Sequence, residues 1–248
     1  MENNELLRRA EDLCERCERS GTLTVTGFLT PAERYQLESW ARRRADCTLV
    51  FSGGRDECER TVGFFLPYYM DREQLDLSEH ICAIQLTAFF GTPGHRDYMG
   101  ALLGMGVKRE WVGDIWVEGN TATVFCLPSV QRHLLSIDKV GRVTVKAREI
   151  ALEAVPALKR QVKSVSFSVM SMRLDAVTAG MFSLSRTEAA KQIAAGNVSL
   201  NYTECLKTDA PIHEGDIISL RHAGKGAVTG TGGTSRKGRL FVYAEIYK

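Results

Sequence analysis

The segment from Arg173 to Asn201 constrains the fold more than any other part of the chain. Ser185 followed by Glu188 has the pattern of a capping box, in which a hydroxyl and a carboxylate each bind a free backbone N–H group at a helix start. Small apolar residues then recur at three- and four-residue spacing, and Gly196 stands where a left-handed C-cap would end the helix. We therefore predict a helix that begins near Arg186.

A second helix and a strand flank this predicted helix. Val198 and Leu200 alternate with polar residues, as in a half-buried strand. Upstream, Leu174, Val177 and Met181 form a short apolar stripe, which predicts a helix near residues 173–180. The predicted unit is a helix–turn–helix–strand with basic and hydroxyl side chains near one rim: Arg173, Ser185, Arg186 and Lys191.

This order of residues resembles the S4 RNA-binding domain. The pattern of that domain opens with Arg-Leu-Asp, here at 173–175, and continues with Ser-Arg and Ala-x-x-x-Ile, here between 185 and 193. It closes with Gly-x-Val-x-x-Asn at 196–201. The chain departs from the family at Ala190 and Ala194, where S4 domains often carry a basic or polar side chain. The resemblance implies RNA binding, and the departure predicts that part of the positive charge comes from elsewhere.

The Arg-Leu-Asp opening also resembles a catalytic stretch of RNA pseudouridine synthases. Thr178 and Gly180 complete that pattern, and Asp175 would then be the nucleophile. Against this alternative, the large catalytic sheet of those enzymes would have to continue well beyond the motif, and little chain remains. We expect instead that Asp175 is a carboxylate on the helix surface, paired with a nearby arginine. We expect no catalytic residue and no enzymatic activity.

Charge is distributed unevenly along the 248 residues. The net charge is +2, but residues 1–155 carry −4 and residues 156–248 carry +6. Such a basic C-terminal third favours contact with a polyanion. Near its end, a predicted glycine- and threonine-rich loop and three cations precede a predicted strand at 240–247. The predicted RNA-binding residues are Arg173, Ser185, Arg186, Lys191, Asn201, Lys207, Arg221, Lys225, Arg236, Lys237 and Arg239.

The sequence of residues 1–155 predicts two further α+β domains. In the first, Thr30, Pro31 and Glu33 form a helix start with a capping box. In the second, predicted elements follow the order β-α-β-β-α-β of the ferredoxin-like fold, which RNA-recognition motifs also use. The predicted elements of the first domain are helices at 6–19 and 30–44 and strands at 47–51 and 61–66. Those of the second are strands at 81–90, 113–117, 121–127 and 142–147 and helices at 95–105 and 129–137.

The second domain lacks the aromatic pair of a working RNA-recognition motif. Phe125 alone lies near a usual base-stacking position. Fold by itself does not establish RNA binding. We therefore expect this domain to be a secondary contact or a spacer, with Arg96, Lys108 and Arg109 as surface candidates for a polyanion. The predicted boundaries are 1–77 for the N-terminal α+β domain, 78–155 for the ferredoxin-like domain and 156–248 for the S4 domain with its basic tail.

Several short strings, taken in order, resemble the bacterial YlmH family over nearly the whole chain. They are Phe-Ser-Gly-Gly at 51–54, Glu-Arg at 59–60, Phe-Leu-Pro at 65–67, Gly-His-Arg-Asp at 94–97 with Gly100 and Leu103, Gly-Asp-Ile at 113–115, and the S4 unit. The resemblance implies a non-enzymatic RNA-binding protein of translation that contacts ribosomal RNA, transfer RNA or both. Some members are tied to quality control, in which an S4 protein holds peptidyl-tRNA on the large ribosomal subunit. The family is also linked to cell division by gene neighbourhood, so a division interaction factor acting through its first two domains stays an alternative.

Cysteine use and hydropathy set the remaining expectations. Seven cysteines without regular spacing fit free thiols in a reducing compartment. Cys14 and Cys17 form a Cys-x-x-Cys pair, but no second pair stands at zinc-finger spacing, so we expect no metal site and no cofactor. No stretch has the apolar length of a signal peptide core or a membrane helix. We expect a cytoplasmic monomer with no membrane contact.

Overall fold

The chain has a mixed α+β fold, as predicted, and divides into two compact units, Met1–Leu158 and Lys159–Lys248. The computed structural model describes residues 2–44, 47–158, 162–235 and 238–247.

The first unit begins with two helices on a three-stranded antiparallel sheet. The sheet has the order β1-β3-β2, and its core packs Leu37 and Phe65 against Ala10, Cys14 and Cys17 of the first helix. The elements are α1 (Glu2–Ser20), β1 (Thr24–Leu29), α2 (Pro31–Ala41), β2 (Thr48–Ser52) and β3 (Thr61–Leu66).

The start of α2 confirms the predicted capping box. The Thr30 hydroxyl accepts from the Glu33 backbone N–H at 3.3 Å, and the Glu33 carboxylate accepts from the Thr30 backbone N–H at 2.6 Å. In contrast, β1 was not predicted.

The ferredoxin-like arrangement of the middle segment is confirmed. Its antiparallel sheet has the order β5-β6-β4-β8, extended at one edge by the short β7. Helices α3 and α4 bury Tyr98, Leu102 and Leu134 against one face of this sheet. The elements are β4 (Cys82–Ala88), α3 (His95–Gly104), β5 (Val112–Glu118), β6 (Thr121–Cys126), α4 (Pro128–Leu134), β7 (Lys139–Val140) and β8 (Val143–Ile150).

The opposite face of the middle sheet is partly covered by the N-terminal elements. Ile81 and Phe125 of the middle segment share one buried cluster with Phe28, Val62 and Phe64 of β1 and β3. The two sheets of the first unit therefore share a hydrophobic core.

In the second unit, two helices pack on a six-stranded antiparallel sheet. The strand order is β11-β10-β12-β13-β14-β9. A Cβ atom at Gly180 would overlap the Phe167 ring, so α5 can approach β9 closely only because this residue is glycine. The elements are β9 (Val162–Val169), α5 (Leu174–Met181), α6 (Arg186–Ala194), β10 (Val198–Leu200), β11 (Thr203–Glu204), β12 (Ile217–Leu220), β13 (Gly224–Thr234) and β14 (Leu240–Tyr247).

The signals at the two ends of α6 are confirmed in different degrees. Ser185 caps the helix by accepting from the Glu188 backbone N–H at 3.1 Å. The Glu188 carboxylate accepts from the Gln192 side chain at 2.8 Å instead of completing the box. Gly196 adopts a positive φ of 72°, as the predicted left-handed C-cap requires.

The glycine- and threonine-rich segment was wrongly predicted as a loop. It forms β13, an 11-residue strand paired with β12 on one side and β14 on the other. The small residues make room for neighbours, because Gly232 lies under the Tyr243 ring and Gly226 lies against Met181. Neighbouring strands therefore impose an extended structure that local propensity does not favour.

None of the helices in the described part of the chain combines the length and apolar character needed to cross a membrane.

Candidate nucleic-acid interface

A buried carboxylate joins the two helices of the second unit. Asp175 in α5 accepts hydrogen bonds from Arg173, with nitrogen–oxygen distances of 3.2 Å to both carboxylate oxygens. It also accepts from Arg186 at the start of α6, whose Nε lies 3.0 Å from Oδ2. One aspartate thus holds two guanidinium groups that are 13 positions apart in the sequence.

The three side chains of this Asp175 cluster differ sharply in exposure. The Asp175 side chain is only 7% exposed, whereas those of Arg173 and Arg186 are 39% and 55% exposed. Each arginine has five N–H donors in a planar fork. The carboxylate therefore fixes one edge of each fork while part of each cation still meets water.

Local backbone contacts position this cluster. Arg173 is the N-cap of α5 and forms an isolated β-bridge with Pro211. The Asp175 backbone N–H donates to the Thr208 carbonyl at 2.9 Å. Arg186 is the first residue of α6, directly after the Ser185 cap. The Arg-Leu-Asp and Ser-Arg strings therefore meet because both stand at helix starts.

The expectation that Asp175 lies on the helix surface is wrong, whereas its pairing with arginine is confirmed. The residue is buried because the loop before β12 contacts the start of α5. Both carboxylate oxygens are bound by arginine. This environment favours a structural role over that of a nucleophile.

An open cleft of about 380 Å³ lies beside the Asp175 cluster. Arg186 and Arg239 both line it, together with Ser168, Gly180 and Leu184. The Arg239 guanidinium donates to the Ser168 hydroxyl at 3.1 Å and to the Ser168 carbonyl at 2.5 Å. The structure therefore brings together Arg173, Arg186 and Arg239 of the predicted residues. Ser168 was missed, although the alternation of Val165, Phe167 and Val169 with serines is the pattern of a half-buried strand.

Two of the other predicted residues are engaged inside the protein. The Asn201 amide donates to Asp216 at 2.8 Å and accepts from the Ile217 backbone N–H at 2.9 Å. Lys225 lies over the rings of Tyr202 and Tyr247, 5.7 and 5.5 Å from their centroids. Asn201 therefore has a role in the fold itself.

The remaining predicted residues are surface groups or fall outside the described part. Lys191, Lys207 and Arg221 are exposed, and Ser185 is exposed although its hydroxyl caps α6. Arg236 and Lys237 lie outside the described residues.

A second arginine–aspartate cluster lies in the first unit, and its arginines donate to backbone carbonyl groups. Arg60 donates to the Phe28 carbonyl at 2.6 Å and to the Val112 carbonyl at 3.3 Å. Arg109 donates to the carbonyls of Val112 and Gly113. Asp114 accepts from the backbone N–H groups of Glu59 and Arg60, at 2.7 and 3.0 Å.

This Arg60 cluster corrects one expected surface cation. Burial, followed by the nearby charge of Arg60, lowers the pKa of Arg109 to about 10, so the group is still protonated at neutral pH. Its guanidinium is held by carbonyl groups and is no surface candidate for a polyanion. Arg96 and Lys108 are exposed, as expected.

Phe125 is excluded as a base-stacking residue. It is fully buried and makes an edge contact with Trp116, with ring centroids 4.9 Å apart. The N-terminal elements cover this part of the sheet.

Cys14 and Cys17 pack in the core of the first unit. Both are buried, and the Cys17 thiol donates to the Phe65 carbonyl at 3.2 Å. Burial raises the pKa of Cys17. Among the described residues, no group of three or more histidine, cysteine, aspartate or glutamate side chains could hold a metal ion.

Comparison with known proteins identifies the family. Ribosome-associated protein quality control protein P2 of Bacillus subtilis (strain 168) is 30% identical over 230 residues, which cover 91% of this chain and 88% of that protein. The model of the family described as "Putative RNA-binding domain in YlmH" matches residues 73–154.

The chain belongs to the YlmH family. A solved structure of the cell division protein ylmH from Streptococcus pneumoniae has the same fold over part of the molecule. Its TM-score is 0.55 at 19% identity, and the match covers 63% of this chain and 96% of that chain.

Two of the strings that resemble the YlmH family have structural explanations. Arg60 and Asp114 form the cluster that ties the two sheets of the first unit together. A Cβ atom at Gly113 would lie 2.5 Å from the Phe28 ring, so the close approach of β5 to β1 requires glycine there. His95 and Arg96, by contrast, are exposed at the start of α3.

Proposed function

We propose that this protein binds structured RNA of the translation apparatus, ribosomal RNA, transfer RNA or both, through its second unit. In this proposal it acts on the large ribosomal subunit during rescue or quality control of stalled chains. The name of the Bacillus subtilis relative supports the link to ribosome-associated quality control. The family description supports RNA as the ligand.

The observation that carries the proposal is the pair of arginines held by Asp175 beside the cleft. A carboxylate that fixes two guanidinium groups lowers the side-chain entropy they lose when they meet a phosphate. Arginine's planar fork suits phosphate oxygens, and each half-exposed fork keeps donors for them. The net charge of +6 on residues 156–248 favours the same ligand.

Recognition by this surface would depend on RNA shape more than on sequence. Side chains cannot enter the deep, narrow major groove of an RNA duplex, whereas phosphates and 2′-hydroxyl groups are accessible. The exposed cations of the second unit would contact phosphates around a helix, loop or junction. The protein would act as a monomer by binding alone, without a cofactor.

Crosslinking in cells, followed by sequencing of the attached RNA, tests the proposal. We expect crosslinks to ribosomal RNA and transfer RNA that become more frequent when ribosomes stall. Arg186→Ala should reduce these crosslinks while the protein stays folded. Crosslinks to neither RNA, with or without stalling, would contradict the proposal.

A further inference from the structure

Two adjacent phenylalanines are exposed to solvent at one end of the middle sheet. Phe89 and Phe90 directly follow β4, and their exposed fractions are 58% and 84%. Scattered exposed apolar residues are common, but two large neighbouring rings kept in water require an explanation.

The phenylalanines lie beside the hairpin of β7 and β8. The Phe89 backbone N–H donates to the Thr144 carbonyl at 3.1 Å. Gly91 then turns the chain with a φ of 72° and lies next to Val143. The loop that leads into α3 and the end of β8 therefore form one edge of the domain.

Exposed cations surround this edge. Arg96 is the second residue of α3, and Arg142 lies in the β7–β8 turn. Lys146 on β8 pairs with Thr87 of β4. None of these three side chains makes a hydrogen bond or ion pair with another described residue. Of the acidic groups at this end of the sheet, Asp97 accepts from the Gly94 backbone N–H at 2.8 Å, and Asp138 and Glu118 are exposed. Lys139, which pairs with Thr144, is a fourth exposed cation, so positive charge is in slight excess near the two rings.

The usual site for bases on such a sheet is closed. Phe125 lies under the N-terminal elements, so it cannot stack on a base. Phe89, at the opposite end of β4, is open. The family model for an RNA-binding domain matches residues 73–154. This range includes both phenylalanines and all three cations.

We propose that this edge, defined by Phe89, Phe90, Arg96, Arg142 and Lys146 and named the Phe90 edge, binds an unpaired segment of RNA. Bases stack on the two rings, and the cations contact the backbone phosphates. Aromatic side chains next to cations are the usual means of holding single-stranded RNA. The proposal extends the proposed function by adding a second RNA site of different specificity to the first unit.

Binding of a fluorescent oligouridylate to the full-length protein tests this site. Phe89→Ala with Phe90→Ala should weaken binding by about fivefold to 150-fold, which corresponds to roughly 1–3 kcal/mol for a stacked base. Phe90→Tyr should bind like the wild type because it keeps a stacking ring. Tyr68→Ala is the matched control, since Tyr68 is 97% exposed in the same unit but outside the Phe90 edge.

A second RNA probe separates this site from the proposed function. Binding of a transfer RNA should be weakened strongly by Arg186→Ala and little by the double phenylalanine variant. If the double variant binds oligouridylate like the wild type while its thermal unfolding is unchanged, the Phe90 edge is not an RNA site. If Arg186→Ala and the joint replacement of Arg236 and Lys237 by alanine both leave transfer RNA binding intact, the binding surface of the proposed function is excluded, whatever the result with oligouridylate.

Covalent mapping gives a readout that does not depend on folding of a variant. Crosslinks from 4-thiouridine in the oligouridylate should fall on peptides that contain residues 89–96. Crosslinks confined to the second unit would overturn the proposal.

Discussion

The two arginine–aspartate clusters of this protein use the same types of side chain in different arrangements. In the first unit, Arg60 and Arg109 donate to backbone carbonyls, while Asp114 accepts from backbone N–H groups. In the second unit, Arg173 and Arg186 donate to the carboxylate of Asp175 and stay half exposed.

The difference gives a criterion that separates structural arginines from candidates for ligand binding. A guanidinium that donates to several backbone carbonyl groups is engaged in holding the fold. A guanidinium fixed along one edge by a carboxylate is oriented and keeps other donors for an anion. Net charge and motif strings do not make this distinction, whereas the identity of the acceptors does.

The largest expected effect comes from removing the acceptor of the first cluster. Asp114→Ala should lower the free energy of unfolding by about 2–4 kcal/mol, because two backbone N–H groups lose their acceptor and two arginines lose a compensating charge. Urea unfolding measures this loss. Glu118→Ala on the same strand is the control and should change stability little. Weaker binding of structured RNA by the folded Asp114 variant would show that the first cluster also serves binding.

Asp175→Asn should lower both stability and RNA affinity. The neutral amide weakens two charge-assisted contacts at a buried position, so we expect a loss of about 1–3 kcal/mol in unfolding free energy. Affinity for transfer RNA should fall severalfold, because Arg173 and Arg186 lose their fixed orientation. Urea unfolding and fluorescence anisotropy measure the two effects.

The same variant tests the enzyme alternative. We expect no uridine isomerisation by the wild type. Isomerisation that disappears in Asp175→Asn while RNA binding persists would establish a pseudouridine synthase.

Arg186→Ala should affect binding alone. We expect about tenfold weaker binding of structured RNA, with unfolding free energy within about 1 kcal/mol of the wild type, since Arg173 still pairs with Asp175. If about five phosphates are engaged, the slope of log affinity against log salt should be roughly −3.5 to −4.5. Loss of one contact should make it shallower by about one.

A tail variant complements this measurement. Joint replacement of Arg236 and Lys237 by alanine should also weaken binding without unfolding the protein. Unchanged affinity in both this variant and Arg186→Ala would exclude the cations of the second unit as the proposed RNA-binding surface, and so would a wild-type affinity insensitive to salt.

Asn201→Ala should have the smallest effect. In contrast to Arg186→Ala, it should lower stability and leave RNA affinity unchanged. Its amide bonds Asp216 and Ile217, and its φ of 47° favours asparagine over alanine. We expect a loss of about 1 kcal/mol in stability, at unchanged affinity for structured RNA. If affinity falls at full stability, Asn201 contacts RNA as the sequence first indicated.

Elements with their own start and stop signals could be predicted from the sequence. Thr30 and Glu33 mark α2, and Ser185 with Gly196 marks α6, because capping depends on a few neighbouring residues. Strands β1, β9 and β13 lack such capping signals, although Val165, Phe167 and Val169 of β9 alternate with serines as in a half-buried strand. Their structure depends on partners far along the chain, and β13 has a composition typical of loops.

The residue types of the candidate site could be predicted better than their burial and position. The basic residues of the S4 pattern could be identified, as could the pairing of Asp175 with arginine. Burial of Asp175 depends on the distant loop that carries Thr208 and Pro211. Likewise, the burial of Phe125 depends on the N-terminal sheet, which no local pattern relates to β6.

The core shared by the two sheets of the first unit restricts how this protein can evolve. Removal of residues 1–77 would expose Ile81, Phe125 and their neighbours to water, and removal of the middle segment would do the same to Phe28 and Phe64. Neither half is therefore suited to be lost or exchanged alone. We expect gene fusions and natural truncations in this lineage to preserve or discard the two halves together, whereas recombination near residue 158 breaks neither core.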